Sequence, residues 1–357
     1  MGLAYFLSCL VTTGILSFVF TYFLYNPNKL PTQIKDMSNK CGIAVIGAVF
    51  FGWSLLELVS WPNEWPNTLS PFGIFPFLIA ALSLSLYSIE KGIINRFWIY
   101  LFVTLICSQF LPADILVFQG LLPIGLDRLC LSVVWAGFVH LYTTMDKVDS
   151  MTLAQTQALC IGFAFLSPLY PALFPLSLTY YPILMLAAVL GFLFYKKTFP
   201  HLQLGKAGSA PLGFLMGFFF IMMAGKGMWL AFFVMPSYYY FEWISSFIYR
   251  IRHRSQQLPI KYTFYVTRVI QNHLNAVGIM PFLMKRMIIL ALLGILVQDF
   301  VWVAVVALIV LYLDLVTRLN TWGEPKPRLR DVFSDIKKAS TILWTSAKDE
   351  ISHLKKR

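Results

Sequence analysis

Two aspartates three residues apart are the first side chains in this sequence that could do chemistry. Asp146 and Asp149 close the segment HLYTTMDKVD, residues 140–149. On one face of a helix, two carboxylates at this spacing can hold Mg²⁺ or move a proton. The same spacing also suits residues that cap the start of the next helix. The two residues by themselves leave both interpretations open.

The amino-acid composition indicates the class of protein in which these two aspartates lie. Of 357 residues, 58% are hydrophobic and 12% are charged, whereas a soluble domain carries about 25% charged residues. The mean hydropathy is +0.71, and 32 phenylalanines are spread from end to end. These values exclude a soluble protein and predict an all-α polytopic membrane protein.

Apolar runs bounded by charges or by proline and glycine predict about eleven transmembrane helices. They are expected near residues 3–25, 41–60, 70–88, 97–112, 127–143, 155–172, 176–195, 208–225, 228–249, 286–299 and 301–317. Residues 1–320 would then form the membrane bundle, and residues 321–357 a basic cytoplasmic tail. Apolar residues recur in this tail at three- and four-residue steps, which predicts an amphipathic helix on the membrane surface or against a partner helix.

The distribution of basic residues predicts the orientation. If the first span runs from outside to inside, the inner segments carry 26 of the 28 lysines and arginines, and only Arg128 and Lys226 lie elsewhere. The positive-inside rule therefore predicts an outer N-terminus and a cytoplasmic C-terminus. The net charge of +12 is then explained by topology and anionic lipid, so we expect no nucleic-acid partner.

Cysteines and histidines give no sign of a transition-metal site. The five cysteines are scattered without a CxxC pair, and the five histidines form neither HxxH nor HExxH. We therefore expect no zinc centre.

Five segments in a common order carry a resemblance to one enzyme family. HLYTTMDKVD is similar to NLYNFMDGID, and GFLFYKKTFPHLQLGKAGSAPLGF, residues 191–214, to GFLxxNWPPAKIFMGDVGSGFLGF. Residues 26–46, 88–93 and 249–268 occupy the places of its first inner loop, its DD motif and its HRSH loop. In these segments the chain resembles the polyprenyl-phosphate sugar-1-phosphate transferases (glycosyltransferase family 4), which include the phospho-MurNAc-pentapeptide translocase and the undecaprenyl-phosphate GlcNAc-1-phosphate transferases.

The resemblance implies a reaction and a location. Members transfer a sugar phosphate from a UDP-sugar to a polyprenyl phosphate with Mg²⁺, on the inner face of the bacterial cytoplasmic membrane. It therefore implies membrane lipid, polyprenyl phosphate and a UDP-sugar as partners, with a homodimer or a glycan-assembly partner as a further possibility.

The departures from the family fall on the polar residues that this chemistry requires. Ser88 and Ile89, or Ile89 and Glu90, stand in place of the aspartate pair. Lysine replaces the aspartate of the GDxGS motif and three other motif positions: Lys206, Lys147, Lys196 and Lys261.

Two explanations of this pattern remain open. In the first, the protein is a divergent but active transferase, and Asp146 holds Mg²⁺ or acts as a base with help from Asp149 and Glu90. In the second, transfer chemistry is lost, and the four lysines bind a phosphate without metal or the protein serves as a scaffold. Gly205, Gly208 and Ser209 would shape the nearby loop and offer backbone N–H groups to the anion.

A third class of function is kept open by acidic residues within apolar stretches. Glu57, Glu242 and Asp314 lie inside or near predicted spans, where a charge usually faces a partner or a cavity. A transporter or flippase for an anionic or lipid-linked substrate would use such residues.

Overall fold

The apolar runs form helices, and within the described residues the chain contains helices and connecting turns without strands. The computed structural model describes residues 3–25, 40–60, 73–89, 96–112, 115–118, 120–148, 150–200, 202–253, 260–272, 279–296 and 300–320. The α-helices are α1 Leu3–Leu24, α2 Gly42–Ser60, α3 Phe75–Ile89, α4 Arg96–Gln109, α5 Ile124–Met145, α6 Met151–Leu169, α7 Leu176–Thr198, α8 Lys206–Gly225, α9 Leu230–Val234, α10 Ser237–Arg252, α11 Tyr265–Asn272, α12 Ile279–Leu296 and α13 Val301–Asn320.

Seven of these helices are long and apolar enough to cross a membrane: α1, α5, α6, α7, α8, α12 and α13. Three shorter apolar helices, α2, α3 and α4, lie beside them. A span needs about 20 mostly apolar residues, so this set of helices is that of a multi-pass membrane protein.

Helix α8 is the centre of the bundle. Its residues 207–224 are all buried, and it packs against α2, α3, α5, α6 and α9. Gly217 leaves room for the indole of Trp135, which stacks on Phe214 at 4.6 Å between ring centroids. The same indole donates a 2.9 Å hydrogen bond to the Phe214 carbonyl oxygen. These contacts fix α8 against α5, and therefore also the two helix ends that carry Lys206 and Asp146.

Two helices differ from the sequence-based prediction. The span expected at residues 228–249 is divided into α9 and α10, because Pro236 has no N–H and cannot continue the hydrogen bonding of α9. Helix α12 begins at Ile279, not near residue 286, and so includes Lys285 and Arg286. The apolar helix tolerates the charge of Arg286 because the guanidinium forms an ion pair with Asp314 of α13. The predicted tail, residues 321–357, lies outside the described residues.

Arg128 ties the segment after α4 to the start of α5. Its guanidinium donates hydrogen bonds to the carbonyl oxygens of Ser108, Leu111 and Pro112, the last two at 2.9 and 2.8 Å. The side chain is only 6% exposed. The carbonyl groups of Ser108 and Pro112 also accept the backbone amides of Leu111 and Ile115. Arg128 therefore adds a charged donor to carbonyl groups at and just after the end of α4.

Replacement of Arg128 by leucine is expected to lower the free energy of unfolding by about 3 kcal/mol, because three carbonyl groups, two of them in buried hydrogen bonds, lose a charged donor. Reversible unfolding in mixed micelles measures the change. Arg318→Leu is the control, since Arg318 is exposed and its pair with Asp314 should contribute less than about 1 kcal/mol. Equal losses for the two variants would contradict the assignment.

Candidate functional site

A polar cavity of about 400 Å³, here called the basic cavity, lies where several helix ends meet. The end of α3, the start of α4, the end of α5 and the start of α8 form its walls. The described residues that line it are Lys40, Ser88, Ile89, Arg96, Thr143, Asp146, Lys147, Gln203, Gly205 and Lys206.

Positive charge dominates this cavity. Among the described lining residues there are four cations, Lys40, Arg96, Lys147 and Lys206, and one carboxylate, that of Asp146. Arg96, Lys147 and Asp146 all lie close enough to Lys206 to interact with it electrostatically. A site with this balance attracts anions and repels metal cations.

The end of α5 is held by a buried polar contact. The Tyr142 hydroxyl lies 2.6 Å from the Thr156 hydroxyl of α6, and the Tyr142 ring packs on Tyr239 of α10 with centroids 5.2 Å apart. Asp146 follows directly as the residue that ends α5, and Ser150 precedes α6. Asp146 therefore lines the cavity from the end of α5 and does not cap the start of α6.

The start of α8 is held on two sides. Gly205 precedes it with φ of +66°, a conformation that glycine adopts without strain. The Ser85 hydroxyl of α3 donates a 2.6 Å hydrogen bond to the Ala207 carbonyl oxygen. On the other side, Gly208 lies directly against Gly42 of α2, so that a Cβ atom on Gly208 would come within 2.8 Å of the Gly42 Cα atom.

The three small residues expected near the anion have a different local role. The amide groups of Gly208 and Ser209 donate to the Gly205 carbonyl oxygen at 3.1 and 2.9 Å. These amides are therefore used inside α8, and the close approach of α2 explains why glycine is needed at position 208. Of the three, only Gly205 lines the basic cavity.

Lys196 lies beside the basic cavity and not in it. Its ammonium group donates a 2.5 Å hydrogen bond to the Leu202 carbonyl oxygen, and the side chain is 8% exposed. It borders a second, much smaller pocket together with Asp146, Thr152 and Gln203. Lys196 thus fastens the turn that leads into α8.

The three remaining predicted site residues do not line the basic cavity or lie outside the described residues. Lys261 lies in the short 3₁₀ helix Ile260–Thr263. Glu90 and Asp149 lie outside the described residues.

The structure adds three polar residues that sequence motifs did not single out: Lys40, Arg96 and Gln203. A buried donor also points to a ligand, because Arg96 Nη1 has no hydrogen-bond partner among the described residues. Buried polar groups are normally paired, so an acceptor such as a phosphate oxygen would complete them. The sequence signal for Lys40 and Arg96 was their place at the ends of inner segments.

Lys147 lines the cavity from outside the spans, and its environment changes its titration. Burial of its ammonium group, followed by the nearby positive charge of Arg250, lowers the pKa of Lys147 below that of an ordinary lysine. Its charge is present below that lowered pKa and is lost as the pH rises through it.

Binding of a phosphate monoester is therefore expected to weaken at a lower pH than the titration of an ordinary lysine, near pH 10.4, would cause. Titration calorimetry with a short-chain polyprenyl phosphate between about pH 7 and 10 measures this, since the phosphate is ionised throughout. Lys147→Arg keeps its charge over the whole range and should remove the early decline. Identical pH profiles for the two proteins would show that Lys147 does not contact the anion.

The described residues do not fit Mg²⁺. No group of three or more histidine, cysteine, aspartate or glutamate side chains in the described part of the chain could hold a metal ion. Mg²⁺ prefers several oxygen ligands, whereas the cavity offers Asp146 beside four cationic side chains. The lining of the basic cavity is therefore suited to an anion and not to Mg²⁺.

A second, apolar cavity of about 500 Å³ lies between α5, α8, α9 and the side chains of Val117, Phe118 and Leu121. Aromatic side chains line it, among them Trp135, Phe138 and Phe232. Its wall at Phe118 is held by Asp127, whose carboxylate accepts a 2.9 Å hydrogen bond from the Phe118 amide. Along α5, Phe138 and Asp146 are eight residues apart, a rise of about 12 Å between the two cavities.

No known family model matches the chain, and no curated protein matches it significantly.

Proposed function

We propose that the protein is a divergent relative of the polyprenyl-phosphate sugar-1-phosphate transferases that binds a phosphate-bearing, lipid-linked glycan precursor without Mg²⁺. The observation that carries this proposal is the basic cavity itself. Its lining includes Lys206 and Lys147, which stand at family motif positions, and two further cations, Lys40 and Arg96.

The way the motif segments converge supports the family relationship. Residues at the place of the DD motif, of the NLYNFMDGID segment and of the GDxGS segment all line one cavity: Ser88, Ile89, Thr143, Asp146, Lys147, Gly205 and Lys206. These positions are far apart in the sequence. A shared binding site is the simplest reason why residues at these motif positions lie around one cavity.

The chemistry of the lining favours binding over transfer. Phosphoryl transfer needs groups that neutralise the pyrophosphate and position the attacking oxygen, which in this family is the work of carboxylate-bound Mg²⁺. Lysine and arginine supply the neutralising charge directly, through charge-assisted hydrogen bonds to phosphate oxygens. Asp146 would orient the neighbouring Lys206, with which it interacts electrostatically.

The apolar cavity offers a place for part of the hydrocarbon chain. Its aromatic lining and its distance of about 12 Å from Asp146 along α5 match a ligand with a charged head and a long apolar tail. In this proposal the chain crosses a bacterial inner membrane eleven times, with α9 and the first turns of α10 as the ninth crossing, and the basic cavity is cytoplasmic. The bias of lysine and arginine toward the segments on the cavity side supports this orientation.

The test is binding of undecaprenyl phosphate and of UDP-GlcNAc to the purified protein, with either Mg²⁺ or EDTA present. We expect saturable binding of at least one ligand with the same affinity in both conditions, and no lipid-linked sugar product. An intact family member assayed alongside supplies the positive control.

Other outcomes would lead to different assignments. A Mg²⁺-dependent lipid-linked product that disappears in Asp146→Asn would make the protein an active transferase. Absence of binding by both ligands would leave a scaffold role in glycan assembly.

A further inference from the structure

Helix α10 has one face that no described part of the protein covers. Five large apolar side chains on this face are between 44% and 61% exposed: Trp243, Ile244, Phe247, Ile248 and Ile251. The rings of Trp243 and Phe247 stack with centroids 5.8 Å apart. They form a continuous aromatic and aliphatic strip along the helix.

The opposite face of α10 is firmly attached to the protein. The buried carboxylate of Glu242 accepts hydrogen bonds from the Tyr238 hydroxyl at 2.6 Å and from the backbone amides of Tyr265 and Val266 at 2.8 and 3.1 Å. The hydroxyls of Ser246 and Thr263 are 2.6 Å apart. These hydrogen bonds fix the orientation of α10, and its apolar strip therefore faces away from the protein.

The length and ending of α10 fit a helix at the boundary of a membrane. Its 16 residues rise about 24 Å, so it is shorter than the seven candidate spans, and it is not one of the three shorter apolar helices either. Its start packs beside a span, since the Phe241 ring lies 5.3 Å from that of Tyr312 in α13. Its last turn carries Arg250 and Arg252, both exposed.

The charged residues of α10 indicate what binds to its exposed apolar face. Glu242, the single acidic residue of α10, is buried on the other side. An exposed apolar strip that ends in arginines is the pattern of helices that bind anionic membrane surfaces. Trp243 adds a residue type that favours the membrane interface.

We propose that α10 forms a binding surface for anionic phospholipid, with its apolar strip among the acyl chains of the leaflet on the basic-cavity side. Arg250 and Arg252 bind the phosphate of the lipid head group. This surface is independent of the ligand that occupies the basic cavity, although Arg250 lies close enough to Lys147 to affect it electrostatically.

The first test uses native mass spectrometry of the full-length protein in micelles that contain equal amounts of phosphatidylglycerol and phosphatidylcholine. Wild type is expected to retain phosphatidylglycerol preferentially. The double variant Arg250→Ala, Arg252→Ala should lower this preference roughly 25-fold, since each basic residue near an anionic surface contributes about a factor of five. The control variant Lys197→Ala, Lys285→Ala removes two exposed cations that are not on α10, and it should lower the preference less than the arginine double variant does, because neither cation adjoins the apolar strip. An unchanged preference in the arginine double variant would overturn the proposal.

The second test examines the apolar strip, and it does not depend on the arginines. The emission of Trp243 is obtained as the difference between wild type and Trp243→Phe in nanodiscs. Phospholipid with brominated acyl chains should quench this difference signal. Absence of quenching would overturn the lipid assignment and indicate that protein, such as a second copy of the chain, covers α10.

Discussion

Lys206→Glu is expected to weaken the binding of polyprenyl phosphate by roughly 100-fold, with EDTA present throughout. A charge-assisted hydrogen bond to a phosphate contributes about 1.5–3 kcal/mol, and each 1.4 kcal/mol is a factor of ten in affinity. The substitution also places a second carboxylate near Asp146, in a cavity that now attracts the anion with four cations. Equilibrium binding to purified, monodisperse protein measures the effect.

The matched control lies on the same helix. Lys226 follows α8 at its other end, about 30 Å from Lys206 along the axis. Lys226→Glu makes the same change in net charge and should leave the affinity within about twofold, because the separation exceeds the screening length at physiological salt. Equal losses for both variants would mean that the anion responds to net charge, and the basic cavity would lose its role. Restored affinity of Lys206→Glu on addition of Mg²⁺ would instead support a metal site.

Helix-forming segments could be predicted from composition and patterning alone. The run at residues 208–225 is apolar throughout, and in the structure α8 is buried on all sides, as expected for a helix that is hydrophobic all round. Loop charges predicted most helix ends to within a few residues. The prediction was wrong at the start of α12, which was expected near residue 286 and lies at Ile279. The partner of Arg286, Asp314, follows 28 positions later, and pairing across helices is not visible in a local window.

The candidate site was predictable only in part. Asp146, Lys147 and Lys206 were singled out by motif resemblance, and the structure places them around one cavity. Lys40 lies in the segment that resembles the first inner loop but was not singled out there, and Arg96 lies outside the motif segments. Their positions at this cavity depend on how α2 and α4 pack. Lys196 was expected to contact the anion, yet its ammonium group is held by the Leu202 carbonyl oxygen. Which acceptor the Lys196 ammonium group binds depends on the geometry of the loop, and the spacing of residues along the chain does not determine that geometry.

A glycine contact sets the width of the cavity. Gly42 is the first residue of α2, two positions after Lys40, and it lies against the first turn of α8, which begins at Lys206. A Cβ atom on Gly42 would overlap the Leu204 carbonyl oxygen and the Gly208 amide nitrogen. These are backbone atoms and cannot rotate away. The absence of a side chain at position 42 thus brings two of the four cavity cations within reach of one ligand.

Gly42→Ala is therefore expected to lower the free energy of unfolding by about 3 kcal/mol, at the upper end of the usual overpacking penalty. It should also weaken anion binding roughly tenfold, because α2 and α8 must separate and carry Lys40 away from Lys206. Reversible unfolding in mixed micelles and the binding assay measure the two effects. Gly137→Ala on α5 is the control, since no atom lies within 4 Å of its Cβ position. Alanine is the better helix former, so this control should be neutral or stabilising by up to about 1 kcal/mol. If Gly42→Ala matched it in stability and affinity, the close contact of α2 and α8 would not be what holds the basic cavity together.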